Sequence, residues 1–263
     1  MHDADALSDA TMLAFARETM LSETSFVQSP TTAGADYRNR IFWRHGEMAF
    51  AGHPSLGTAV AEALRRGASE ARYVQQTPAG LQPVEVRLAA DGARAQASML
   101  QEPAAFGPEP DGVAALQAVG LAAADAHPDL PVQVVSTGLP QLLIPVGDPH
   151  ALTRCAPDLG ALRAVLEPHG AACSYVVAPQ PELGTAQARS FFDGGAVPVE
   201  DPATGSAAGP LCAYLHRRCG AERVMVDQGV AMGRPGRLVA EVDGDRVRVS
   251  GDVAIIATGD VRL

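Results

Sequence analysis

The stretch VEDPATGSAAGPLCAYL, residues 199–215, decides the fold, because an acidic, proline-bearing run passes there straight into a helical pattern. Ala208, Leu211, Cys212, Leu215 and Cys219 recur at helical spacing and predict a helix over 205–219 with one buried face, ended by Gly220. Small residues from Ala203 to Gly209 leave its first turn unobstructed. An earlier junction has the same form. In FAGHPSLGTAVAEAL, residues 50–64, Pro54 sits where a helix start accepts proline, and Leu56, Ala59, Val60, Ala63 and Leu64 make the apolar stripe of a helix that Gly67 stops.

A helix start carries free backbone N–H groups and a partial positive charge, so a glycine-rich approach without bulky side chains makes a seat for a carboxylate. Gly52 and Gly205 are therefore candidate substrate-binding positions through their backbone alone, and His53, Asp201 and Ser206 are the polar side chains at the two starts. Each junction by itself also reads as an ordinary capped helix with a turn glycine. Two such starts, one per lobe, are expected to face a common cleft.

Working outward, Ser8 is placed to cap a helix over 9–20, and β-prone runs follow at 24–28, 40–44, 71–76, 83–88 and 95–100. QEPAAFGPEPDGV, residues 101–113, is rich in turn residues and precedes a helix expected over 112–124, which puts the lobe boundary near 115/116: an N-terminal lobe of 1–115 and a C-terminal lobe of 116–263. The second half repeats the mixture. VQVVSTG and QLLIPV read as strands, 157–167 as a helix, 172–177 and QARSFF as strands, 199–204 as a loop, and 222–263 as several short strands. The fold class is α/β of the α+β kind.

Composition narrows the function. Thirty acidic against twenty basic residues leave a net charge of −10, and the longest basic runs are the pairs Arg65-Arg66 and Arg217-Arg218, which argues against nucleic acid as a partner. No run approaches the roughly 18 apolar residues that span a bilayer, and no basic region precedes an apolar run at the N-terminus, so a cytoplasmic protein without a membrane partner is expected. Cys155, Cys173, Cys212 and Cys219 lack CxxC spacing and read as buried free thiols. His45, His53 and the acidic residues show no HxxxH or HExxH spacing, so no metal is expected. A phosphate loop and a GxGxxG fingerprint are missing, and Ser206 does not lie in a GxSxG elbow.

Five segments taken together resemble successive hallmarks of the phenazine-biosynthesis PhzF-like family: LSETSFV (21–27), NRIFWRHGEMAFAGHPSLGTA (39–59), VSTGLPQLLIPV (135–146), ARSFFDGGAVPVEDPATGSA (188–207) and QGVAMGRPGRL (228–238). The resemblance runs from about residue 3 to the C-terminus. It implies a fold like that of diaminopimelate epimerase: two similar lobes, each a mixed sheet wrapped around a central helix, with the active-site cleft between them. The central helices would begin near Pro54 and Gly205.

The resemblance further implies isomerisation of a small carboxylate-bearing metabolite of the trans-2,3-dihydro-3-hydroxyanthranilate type. A proton moves from C3 to C1 without a cofactor, and the family tends to form homodimers. By motif match the acid/base glutamate falls on Glu23, which alone would read as a polar turn residue, and the family's His, Asp and Ser fall on His53, Asp201 and Ser206. A carboxyl in a dry cleft is expected to have its pKa raised toward neutrality. His53 is expected to hydrogen-bond the substrate or Asp201. Asp201 is expected to stay ionised near the helix start, and Ser206 to cap its helix or donate to a carboxylate.

Two rival readings keep the fold and change the function. One is a non-catalytic protein that binds small anions. The other is an epimerase or racemase using a thiol at each helix start, which Gly52-His53 and Gly205-Ser206 argue against, Cys212 lying about two turns into its helix. Family members usually open with a strand and a Gly-Asn-Pro turn before the segment matching residues 3–9. The expectation is therefore either a start placed late or a short form whose sheet is completed by another element.

Overall fold

The structure, a computed structural model, describes residues 1–262. Its contacts divide into two units, Met1–Leu100 with the residues from Ser250 on, and Gln101–Val249. The boundary falls before the turn-rich 101–113 stretch, not at 115/116, because that stretch packs within the second unit: Gly107 N–H donates to Val134 C=O at 2.8 Å and Val134 N–H to Pro108 C=O at 2.9 Å.

Unit 1 opens with α1 (Asp9–Thr19), capped as its sequence predicts: the Ser8 hydroxyl accepts from Thr11 N–H at 3.2 Å. Then come β1 (Thr24–Gln28), β2 (Tyr37–Trp43), the short β3 (Gly46–Met48), α2 (Gly52–Arg65), β4 (Glu70–Thr77), β5 (Gly80–Leu88) and β6 (Arg94–Leu100). Strand order is β1-β2-β4-β5-β6, with β3 paired to β2. The β2–β4 pair is parallel and the others are antiparallel, so this is the mixed sheet expected. Residues 1–4 run beside the outer edge of β1, where Val27 N–H donates to Met1 C=O at 2.8 Å and Ala4 N–H to Val27 C=O at 3.1 Å.

The α2 stripe of Leu56, Ala59, Val60 and Ala63 buries against Tyr37, Tyr73, Val84, Val86, Ala95, Ala97 and Met99. Each large apolar side chain removed from water there contributes about 1.5–3 kcal/mol. Glu62, on the same helix, is fully buried and is satisfied by Arg65, Arg66 and His2 at 2.7–3.0 Å. Burial pushes its carboxyl up, the two guanidinium groups outweigh that, and it is held below the usual carboxylate range.

Unit 2 comprises β7 (Ala105–Phe106), α3 (Gly112–Ala118), β8 (Gln133–Ser136), β9 (Pro140–Pro145), α4 (Pro149–Thr153), α5 (Leu159–Leu166), β10 (Cys173–Gln180), β11 (Thr185–Asp193), β12 (Pro198–Asp201), α6 (Gly205–Cys219), β13 (Arg223–Gln228), β14 (Gly236–Asp243) and the start of β15 (Arg246–Ala254). Its strands follow the order β15-β14-β13-β11-β10-β9-β8-β7, with β12 on β11. α3 is shorter than expected because Gly120 turns left-handed at φ +78°, where a Cβ would lie 2.6 Å from the Ala156 carbonyl oxygen.

α6 is the central helix. Every residue from Ala207 to Leu215 is buried, which makes it apolar all round and not on one stripe alone, and it is enclosed by side chains from β8 to β15 such as Val135, Leu143, Tyr175, Val226, Leu238 and Val249. Cys219, expected inside, is exposed at the end of the helix, whereas Cys155, Cys173 and Cys212 are buried and all four are free thiols. A second apolar cluster lies under α3, α4 and α5.

Candidate active site

Glu23 stands at the junction between α1 and β1. Its neighbours Thr24 and Phe26 are fixed in the sheet and core, while Met20, in the left-handed region at φ 54°, and Leu21 are exposed. His53 is the second residue of α2. The structure brings these two together, with His53 Nε2 at 2.9 Å from Glu23 Oε2. The sequence predicts instead a hydrogen bond from His53 to the substrate or Asp201.

The electrostatics of Glu23 also differ from expectation. Burial does push its carboxyl up, but the contact with the His53 imidazole and a hydrogen bond from Ser22 together hold it below the usual carboxylate range. Glu23 is thus a preformed carboxylate at neutral pH. The free-enzyme acid limb of kcat/KM should therefore fall below the ordinary carboxylate range. A depressed pKa also means that this contact stabilises the fold above the group's ordinary pKa and is lost as pH drops through the lowered one. A pH–rate profile with its acid limb near neutrality would contradict this.

Asp201 is not in a loop. It ends β12, which pairs antiparallel to β11 with Asp201 opposite Ser190 and Glu200 opposite Phe191. Arg189 on β11 holds this short arm through a bidentate pair with Glu200 at 2.7–2.9 Å, and also donates to the Leu152 and Cys155 carbonyls. The Asp201 carboxylate accepts from the Thr204 hydroxyl at 2.7 Å. Thr204, not Ser206, is the N-cap residue of α6, and Ser206 sits one turn position inside, where Gln141 Nε2 donates to its hydroxyl at 3.4 Å.

One feature separates the two central helices from the rest. α1, α3, α4 and α5 are each capped by a side chain, from Ser8, Asp111, Asp148 and Asp158. α2 and α6 have no side-chain cap, and each has glycine as its first residue, Gly52 and Gly205. A helix start left uncapped among capped neighbours keeps its N–H groups and positive end available to an anion.

Thiol chemistry is unsupported at these starts. Cys173 and Cys212 are both pushed up to about 12 by burial and stay protonated. Among the described residues no cluster of three or more His, Cys, Asp or Glu could hold a metal ion, and no helix is long and apolar enough to cross a membrane.

Known proteins of this architecture include epimerases: a hydroxyproline epimerase from Agrobacterium vitis superposes over 88% of this chain and 72% of its own with a TM-score of 0.56 at 15% identity. Nearer are a protein from Pseudomonas aeruginosa described as a predicted epimerase, with a TM-score of 0.82 and 34% identity over 98% of this chain and 92% of that one, and a PhzF-family phenazine biosynthesis protein from Bacillus anthracis, with a TM-score of 0.82 and 26% identity over 97% and 89%. The sequence is 33% identical to the trans-2,3-dihydro-3-hydroxyanthranilate isomerase of Pseudomonas aeruginosa across 99% of this chain and 91% of the relative. The fold is thus that of isomerases acting on small molecules. Residues 1–259 match the phenazine biosynthesis-like protein family, PhzC-PhzF, and the chain belongs to it as one of its isomerases.

Proposed function

We propose that the protein isomerises a small carboxylate-bearing metabolite, of the trans-2,3-dihydro-3-hydroxyanthranilate type, by cofactor-independent proton transfer. The observation that carries this reading is the Glu23–His53 contact at 2.9 Å, which keeps a shielded carboxylate ionised and therefore able to accept a proton.

In this reading Glu23 takes the proton from one carbon of a conjugated substrate and, now an acid, returns it to another. His53 steadies the carboxylate between the two transfers and hydrogen-bonds the substrate. In unit 1 the N–H groups at Gly52, and in unit 2 those at Gly205 with the Ser206 hydroxyl, are the groups offered to a substrate's carboxylate and hydroxyl, while Asp201 fixes the approach to α6 through Thr204. The reading includes a homodimer, tested by light scattering after gel filtration. It also includes a cytoplasmic setting, for which the three buried free thiols suit a reducing compartment.

The test is incubation with trans-2,3-dihydro-3-hydroxyanthranilate in deuterated buffer, followed by absorbance and proton NMR. Conversion with deuterium at the receiving carbon is expected. Ligand binding without conversion or exchange would leave a non-catalytic anion-binding protein.

A further inference from the structure

Three buried glutamines converge on the start of α6. Gln101 follows β6, Gln141 lies on β9 and Gln228 ends β13, and they are 6%, 1% and 1% exposed. A long polar side chain is rarely buried to this extent, and it is tolerated only when its amide is satisfied.

All three are satisfied by the same short segment and its neighbours. Gln228 Nε2 donates to the Asp201 carbonyl at 2.7 Å and to the Thr204 hydroxyl at 2.9 Å. Its Oε1 accepts from Thr204 N–H at 3.3 Å and from the Tyr175 hydroxyl at 3.0 Å, so the full capacity of the amide is used. Gln101 Nε2 donates to the Gly205 carbonyl at 2.9 Å, and its oxygen accepts from Thr137. Gln141 donates to Ser206 and accepts from the Cys173 thiol, which in turn accepts from Ser190.

We infer that Gln101, Gln141 and Gln228 form a clamp of positioning residues that presets residues 201–206 for the substrate's carboxylate. The inference rests on the proposed role of the α6 start. The choice of amide has a physical reason. A neutral group that both donates and accepts can hold a carbonyl and an N–H at once without adding charge beside the seat. A buried Arg in its place would compete for the carboxylate, and a Glu would repel it. Fixing the segment before binding spares the substrate its ordering entropy. Gly209 fits the same picture, since a Cβ there would meet Gln101 Oε1 at 1.8 Å, so the clamp closes only against a bare backbone.

A clamp on a binding seat acts on ground and transition state alike, so its loss should appear in KM and spare kcat. For Gln228→Met we expect KM to rise about tenfold or more with kcat within about threefold, anthranilate to bind correspondingly more weakly in calorimetry, and the amides of 204–207 to exchange with solvent faster. A folded Gln228→Met enzyme with unchanged KM, anthranilate affinity and exchange would overturn the clamp. If that variant does not fold, Gln101→Met and Gln141→Met carry the same test, with the same outcomes deciding it. An inactive wild type would refute the function proposed above but not the clamp, which the exchange rates of 204–207 then settle.

Discussion

Glu23→Gln should lower kcat by about three orders of magnitude while leaving KM within a few-fold, the loss appropriate to removing a general acid–base group. Glutamine has the shape of glutamate and can still lie against His53 Nε2, so the fold and the binding seat are retained and only the proton acceptor is removed. Solvent deuterium should then cease to enter the substrate, because an amide cannot take a proton at neutral pH. A Glu23→Gln enzyme that keeps more than about a tenth of wild-type turnover would mean that another group moves the proton. This effect and that of Gln228→Met are expected to be orthogonal, one on kcat and the other on KM.

Gly229→Ala should be the most destabilising small substitution near the site. Gly229 is left-handed at φ +78°, and a Cβ built on it would stand 2.3 Å from the Arg234 carbonyl oxygen and 2.8 Å from that of Pro202. Both are backbone atoms and cannot swing aside as a side-chain end can. The left-handed conformation alone costs alanine about 1–2 kcal/mol, and with overpacking the total should reach about 3 kcal/mol. For a chain of this size that corresponds to a melting temperature lower by roughly 6–12 °C. Because Pro202 lies between Asp201 and Thr204, relief of the clash should also displace the α6 approach and raise KM. A melting point unchanged within about a degree would show that the turn can be rebuilt without cost.

The two central helices were legible from the chain because glycine, proline and a 3.6-residue apolar stripe coincide at 50–64 and 205–219. The site was legible only in pieces. Glu23 and His53 are 30 positions apart with no pattern linking them, so their contact depends on tertiary packing. β12 reads as a loop in the sequence because of Pro198 and the acidic pair Glu200-Asp201, whereas a short strand held by Arg189 tolerates them. The pKa direction of Glu23 is hidden from the sequence for the same reason: burial is foreseeable there, but the imidazole contact that outweighs it is not. The three glutamines were invisible, since a glutamine in a strand gives no sign of whether it faces water or a helix start.

The division of the chain has a consequence for the order of events on the ribosome. Unit 2 is one uninterrupted stretch, Gln101–Val249, and can begin to pack once its last strand has emerged. Unit 1 is made first but includes the residues from Ser250 on, where Ile255 N–H donates to Ala93 C=O at 2.9 Å and Val253 and Ile255 pack against the α2 core. The half of the protein that carries Glu23 and His53 is therefore synthesised early and completed last.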